Sequence, residues 1–278
     1  MNDTRAASRL PQNKPIGVFD SGVGGLTVVK ALAERLPREN LVYFGDTARV
    51  PYGGKSASTI ARYANEIISF LLAADVKALV IACNSISAVA AEDIRRDRAG
   101  MPVLDVITAG AKTAAAKTRN KRVGVVGTIA TVDSQAYPQK IKAIDPDVAV
   151  SSAACPLFVP LVEEGWVDDE VTAMVARRYL DPVAAQGVDT LVLGCTHYPL
   201  LRPLLQRLYP GLGIVDSAVA TAQETFEKLQ KAGLLNDGTQ ETGRRRFVVS
   251  DRPQRFRETA ELFLGESLSD LEVRRLEV

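Results

Sequence analysis

Residues 76–83 read Val76-Lys77-Ala78-Leu79-Val80-Ile81-Ala82-Cys83, and residues 188–195 read Val188-Asp189-Thr190-Leu191-Val192-Leu193-Gly194-Cys195. Each is an apolar run of strand length that ends in a cysteine, and the two cysteines lie 112 positions apart. Continuous rather than alternating apolar runs suit strands of a parallel sheet covered on both faces. Ile16–Asp20, Leu41–Gly45 and Val103–Asp105 read the same way. Two further stretches repeat the pattern: Arg122–Gly127 follows Ile16–Asp20 at an offset of 107, and Ile214–Asp216 follows Val103–Asp105 at 111. Near-constant offsets over three strands point to a duplicated unit.

The segments between these runs carry helical spacing, as in Ser56–Ala73 with Ile60, Tyr63, Ile67, Phe70 and Leu71. Alternating strands and helices make this an α/β chain. Ligands of open α/β sheets bind beyond the carboxyl ends of the strands. Two such units facing each other present Cys83 and Cys195 to one cleft. The segment after Asp216 holds a helical stretch (218–232), a strand-like run (247–249) and a helix (254–263) that complete the first unit. The expected organisation is a flexible extension over 1–14, a first α/β domain over 15–107 plus 217–278, and a second over 108–216.

With 34 basic and 33 acidic residues the net charge is +1, which predicts no general affinity for nucleic acid or anionic membranes. The one basic run, Arg244–Arg246, reads as a solvated loop. Three cysteines are too few for a disulfide scaffold in 278 residues, and the expected compartment is the reducing cytoplasm. No apolar run approaches the ~18 residues of a membrane span. Residues 1–14 lack the apolar core of a signal peptide.

A thiol at a strand-to-helix junction meets backbone N–H groups and the helix dipole, which favour the thiolate and can hold a substrate carboxylate. A lone cysteine there reads equally well as a small core residue; a matched pair reads as chemistry. Two thiols and one histidine without Cys-x-x-Cys are a poor zinc set. Acyl transfer leaves one thiol idle, and a redox disulfide remains an alternative. Removing a proton from one face of a carbon and returning one to the other face uses both thiols. His197, the one histidine, stands two residues from Cys195. Asp20 ends a strand before Gly22-Val23-Gly24-Gly25, which departs from Gly-x-Gly-x-x-Gly at Thr27 and supports no dinucleotide. Asp20 reads either as a helix N-cap or as a partner of a thiol or an ammonium. Cys155 and the tyrosines other than Tyr52 read as structural, Cys155 because it has no evident counterpart in the repeat.

At these residues the chain resembles the glutamate racemases of the aspartate/glutamate racemase superfamily. The resemblance covers nearly everything after Lys14. It rests on Ile16–Thr27, on Tyr43–Asp46 with Pro51–Gly53, on Ala82-Cys83-Asn84-Ser85, on Cys155–Pro160 and on Leu193–Leu200. It implies two pseudosymmetric α/β domains with mostly parallel sheets and the active site in the cleft between them. It implies no pyridoxal phosphate or other cofactor, no metal, and a homodimer supplying D-glutamate for peptidoglycan. It implies Cys83 and Cys195 as the acid/base pair, assisted by Asp20, Glu163 and His197. Asp20, Ser21, Tyr52, Gly53, Asn84, Ser85, Thr128, Thr131, Thr196 and His197 would hold glutamate. The family usually carries Thr where Ser85 stands; serine keeps the hydroxyl and loses a methyl. The competing readings are an aspartate or related racemase, and a non-catalytic regulatory protein on the same fold.

Overall fold

The computed structural model describes residues 11–238, 241–268 and 271–276; residues 1–10 of the expected extension lie outside the described residues. Pro11–Asn13 form one 3-10 turn, and Lys14 pairs with Asp75 at 2.8 Å. The chain then alternates as its apolar runs require: β1 (Ile16–Asp20), α1 (Leu26–Arg35), β2 (Leu41–Gly45), α2 (Ala57–Ala73), β3 (Ala78–Ile81), α3 (Asn84–Asp97), β4 (Val103–Asp105) and α4 (Val106–Lys117). A second series follows: β5 (Arg122–Gly127), α5 (Ile129–Asp133), α6 (Ala136–Ile144), β6 (Ala149–Ala154), α7 (Phe158–Glu163), α8 (Glu170–Ala184), β7 (Thr190–Gly194), α9 (Arg202–Leu208) and β8 (Gly213–Asp216). The chain closes with α10 (Ser217–Lys231), β9 (Arg245–Val249), α11 (Pro253–Leu264) and β10 (Leu271–Val273).

The strands form a six-stranded sheet, ordered β10-β9-β2-β1-β3-β4, and a four-stranded sheet, ordered β6-β5-β7-β8. Every pairing in both is parallel. The order β2-β1-β3-β4 recurs as β6-β5-β7-β8, so the strands matched by offset occupy equivalent places. β2 and β6 are a fourth matched pair. β6 has the sequence Ala-Val-Ser-Ser-Ala-Ala and lies half-exposed at a sheet edge, so it lacks the apolar run that marks the others. The repeat reaches the caps as well. Asp105 accepts from the backbone N–H of Ile107 and Thr108, and Asp216 accepts from that of Ala218, each turning a strand directly into a helix.

The basic run read as a loop is a correction. Arg245 and Arg246 open β9 and pair in register with Leu41 and Val42. Their exposed guanidinium groups face Glu266 and Glu272, because at this end of the strand, close to the sheet edge, consecutive side chains on opposite faces both reach water.

The two sheets share buried apolar packing, which runs from Ile16 and Val18 of β1 through Ala218 and Ala222 of α10 to Leu191 and Leu193 of β7. α10 packs on both α1 and α4, and α4 on α6. Among the described residues no helix is long and apolar enough to cross a membrane.

A buried ion pair fastens the amino-terminal edge of the first sheet. Lys77, just before β3, meets Glu39, and both side chains are 2% exposed. The Lys77 ammonium also donates to the carbonyls of Gln12 at 2.5 Å and Leu234 at 2.8 Å. Breaking such a pair strands one charge away from water and costs about 3–5 kcal/mol, whereas replacing both partners by apolar groups of similar volume is often neutral. Glu39→Leu is therefore expected to lower stability by about that amount, and Glu39→Leu with Lys77→Met to recover most of it. Urea unfolding of the three proteins measures this; equal losses in the single and double variants would refute it.

Candidate active site

β1 delivers Asp20 to the carboxyl end of the first sheet. Its Oδ2 accepts from the N–H groups of Gly22 and Gly25, both at 3.0 Å, so it braces the glycine loop and is not the N-cap residue of α1, which is Gly25. Its Oδ1 is buried without a partner, so half of the carboxylate is left for something else. Gly25 has to be glycine, since a Cβ there would stand 2.5 Å from the Cβ of Asp20.

β3 delivers Cys83, the N-cap residue of the fourteen-residue α3. Its thiol donates to Ser21 Oγ at 3.6 Å. Burial first, and the charge of Asp20 second, push this thiol up to about 12, against the hydrogen bonds offered by Ile86 and Ser21. At neutral pH it is therefore S–H. Asn84 and Ser85 follow. Ser85 Oγ lies 3.0 Å from Thr128 Oγ1, which in turn lies 2.9 Å from Thr131 Oγ1. The Ser85 hydroxyl thus joins the two sheets' strand ends through Thr128.

β7 delivers Cys195, whose surroundings differ from the expected helix N-terminus. The chain makes a four-residue 3-10 turn, Tyr198–Leu201, and only then the short α9, with prolines at 199 and 203. Proline lacks the N–H that a continuous helix needs. A side-chain relay takes the helix's place: Cys195 Sγ lies 3.9 Å from His197 Nδ1, and His197 Nε2 lies 3.0 Å from Glu163 Oε1. Burial pushes the imidazole down, but the Cys195 sulfur and the Glu163 carboxylate outweigh it and hold His197 up at about 10. Burial likewise pushes Glu163 up, and the bond and charge of His197, with Arg255 nearby, outweigh it and hold the carboxyl below its ordinary range.

The two halves interlock. Ala130 N donates to Gly53 O at 3.0 Å, and Thr27 Oγ1 to Thr196 O at 3.2 Å. A Cβ on Gly24 would overlap Thr196 Oγ1 and stand 2.5 Å from His197 Nδ1. Asp20, Ser21, Cys83, Asn84 and Ser85 thus come from the carboxyl end of one sheet, Thr128, Thr131, Cys195, Thr196 and His197 from that of the other, with Glu163 behind His197.

Tyr52 is buried, but its hydroxyl is committed to Asp46. Asp46 also accepts from Arg49 Nε at 2.6 Å and Ser250 Oγ at 2.8 Å. Sequence reasoning missed this carboxylate, although it follows a strand end much as Asp20 ends one. Cys155 is a second correction. It does have a counterpart, since Cys155 N donates to Gly127 O as Asp46 N donates to Asp20 O. Its thiol is fully buried, pushed up to about 12 by burial and by Cys195, and its contact is the carbonyl of Ala153. Among the described residues no cluster of three or more His, Cys, Asp or Glu is placed to hold a metal ion.

Residues 16–225 match the family described as Asp/Glu/hydantoin racemase. The chain belongs to this family. It is 54% identical over 262 residues to the glutamate racemase of Neisseria gonorrhoeae, which covers 94% of this chain and 97% of that one. The fold superposes on the glutamate racemase of Francisella tularensis in complex with D-glutamate with a TM-score of 0.90, at 39% identity, covering 96% and 99% of the two chains. The Thermus thermophilus glutamate racemase in complex with β-chloro-D-alanine gives 0.87 at 47% identity, covering 95% and 98%.

Within this racemase-family site, His197 holds its proton more tightly when folded than when unfolded, where it titrates near 6.5. The stability it contributes is fully present below about pH 6.5 and is lost as pH rises through about 10. His197→Asn is expected to flatten the decline in stability across that window, read as urea midpoints. An undiminished slope in the variant would assign the decline to other groups.

Proposed function

We propose that this chain is a glutamate racemase that inverts the α-carbon of glutamate with Cys83 and Cys195 as its two bases. One observation carries the proposal: the thiols end equivalent strands, β3 and β7, of two sheets with the same strand order, and the loops around each interlock with those around the other. Removal and return of a proton on opposite faces of one carbon needs such a pair.

The two thiols have different resting environments. His197, protonated and backed by Glu163, supplies the positive charge that a sulfur anion at Cys195 needs. Cys83 rests as S–H. In the L-to-D direction Cys195 S⁻ takes the α-proton, and the C–H electron pair moves into the substrate carboxylate as an enediolate. Cys83 S–H then protonates the other face, leaving Cys83 as thiolate and Cys195 as thiol. That state accepts D-glutamate, so the roles exchange with handedness. The unpartnered Asp20 Oδ1 suits the substrate ammonium, and the buried, unpartnered Asn84 Nδ2 suits a carboxylate oxygen. Ser21, Gly53, Ser85, Thr128, Thr131 and Thr196 complete the cradle, with Tyr52 setting the backbone of the Gly53 loop through Asp46. We assign residues 15–107 with 217–278 to one domain and 108–216 to the other. We read the enzyme as a cytoplasmic homodimer supplying D-glutamate for peptidoglycan.

Circular dichroism of the purified protein with L- or D-glutamate, after chelation and without added cofactor, is expected to decay to the same racemic end point from either side. Decay with aspartate alone would make this an aspartate racemase, and no decay with either would favour a regulatory protein. Cys83→Ala and Cys195→Ala are expected to abolish the decay, and Cys155→Ala to leave most of it; comparable losses at all three would mean the wrong pair has been chosen.

Serine ionises far less readily than a thiol but still carries a proton to give. In deuterated water Cys83→Ser is therefore expected to spare α-proton exchange of L-glutamate relative to D-glutamate, and Cys195→Ser the reverse. Equal loss for both enantiomers in both variants would point to a single base.

A further inference from the structure

Tyr137 lies on α6, in the half of the molecule that carries Cys195, and nothing in its sequence context marks it. Its hydroxyl donates to Asn84 Oδ1 at 2.9 Å, across to the residue that follows Cys83. The tyrosine is 1% exposed and the asparagine 2%. The same ring lies against the strand that carries the other thiol, since a Cβ on Gly194 would stand 3.1 Å from Tyr137 Cε2. One side chain thus touches the residue before Cys195 and holds the residue after Cys83.

The bond decides which way the Asn84 amide points. An amide has one acceptor and one donating end, and rotation by half a turn exchanges them. Burial and the nearby Asp105 carboxylate keep the Tyr137 phenol protonated, so it offers a donor to Asn84. That donor takes the Oδ1 end and leaves Nδ2 buried with no partner. A buried N–H with no acceptor is costly unless something accepts from it. Ser217 is adjacent, its Cβ and the tyrosine oxygen lying within 3.3 and 3.1 Å of the same point above Gly110.

We infer that Tyr137 is a positioning residue for the substrate: by donating to Asn84 Oδ1, it presents Asn84 Nδ2 to a carboxylate oxygen of the bound amino acid and fixes the spacing between the two thiol-bearing strand ends. The inference rests on the glutamate reading above. Because the amide serves a carboxylate common to both enantiomers, its effect falls on L- and D-glutamate alike, unlike a change at either thiol.

The test is a double-mutant cycle of Tyr137→Phe and Asn84→Ala, with thermal midpoints checking each fold and Asn84→Ser as a second variant should Asn84→Ala not fold. D-glutamate is the calorimetric probe, and racemisation is followed from both enantiomers. Tyr137→Phe keeps the ring against Gly194. It is expected to weaken D-glutamate binding and to raise KM for both enantiomers by about tenfold, the scale of one lost hydrogen bond, with kcat changed by less than about threefold. In the Asn84→Ala background the same change is expected to add less than about twofold. Additive losses in the two backgrounds, an unchanged KM in Tyr137→Phe, or a loss confined to kcat would each overturn the inference. A wild-type protein that neither binds nor racemises glutamate would instead overturn the glutamate reading, so the two failures are separable.

Discussion

The close approach of the loop after β1 to the loop after β7 governs the whole site. At Gly24 a single added methyl group would overlap both Thr196 and His197. Bare backbone therefore forms the floor where the halves meet, and the Thr27 hydroxyl, donating to Thr196 O, stitches it. Ser85 against Thr128 and Asn84 against Tyr137 repeat the stitch on the Cys83 side. Side-chain volume at these points would act as a wedge and spread the two cysteine-bearing strand ends.

Within that clasp the two cysteines are treated unequally, although their strands are equivalent. Cys83 caps a long helix but lies in a dry site with a carboxylate close by, and rests protonated. Cys195 has lost its helix to Pro199 and Pro203 and has gained a charged imidazole backed by Glu163. On the two-base reading proposed above, one thiol must act as acid while the other acts as base, and unequal surroundings suit that division. The strands match in position, and the segments that follow them give the two thiols different neighbours.

Carboxylates at strand ends recur through the molecule with different tasks. Asp105 and Asp216 spend oxygens on capping the next helix. Asp46 gathers Arg49, Ser250 and Tyr52, and so ties the loop bearing Gly53 to the segment after β9. Asp20 braces its loop with one oxygen and keeps the other free. The β9–β10 extension of the first sheet thus supports the site through Ser250 without lining it.

The local sequence determined the elements that are buried on both faces, because continuous apolar runs leave no other solution. β1, β2, β3, β4, β5, β7 and β8 are legible in that way, and the near-constant offsets of three matched strands mark the repeat. Two of the edge strands were not legible: β6 and β10 bury little, so their composition carries no signal; Arg245 and Arg246, too, look like loop while belonging to β9. Asp20, Cys83 and Cys195 end strands or closely follow them, and a residue so placed stays at its sheet's end wherever the sheet packs; Glu163 ends α7 and Thr131 lies within α5, so their places depend on packing. Which group meets which was a tertiary decision. The commitment of Tyr52 to Asp46, the match of Cys155 to Asp46 and the reach of Tyr137 to Asn84 join residues far apart in the chain or matched only through the sheets. Their geometry depends on how two sheets are set against each other, and no local pattern of polarity or spacing encodes that.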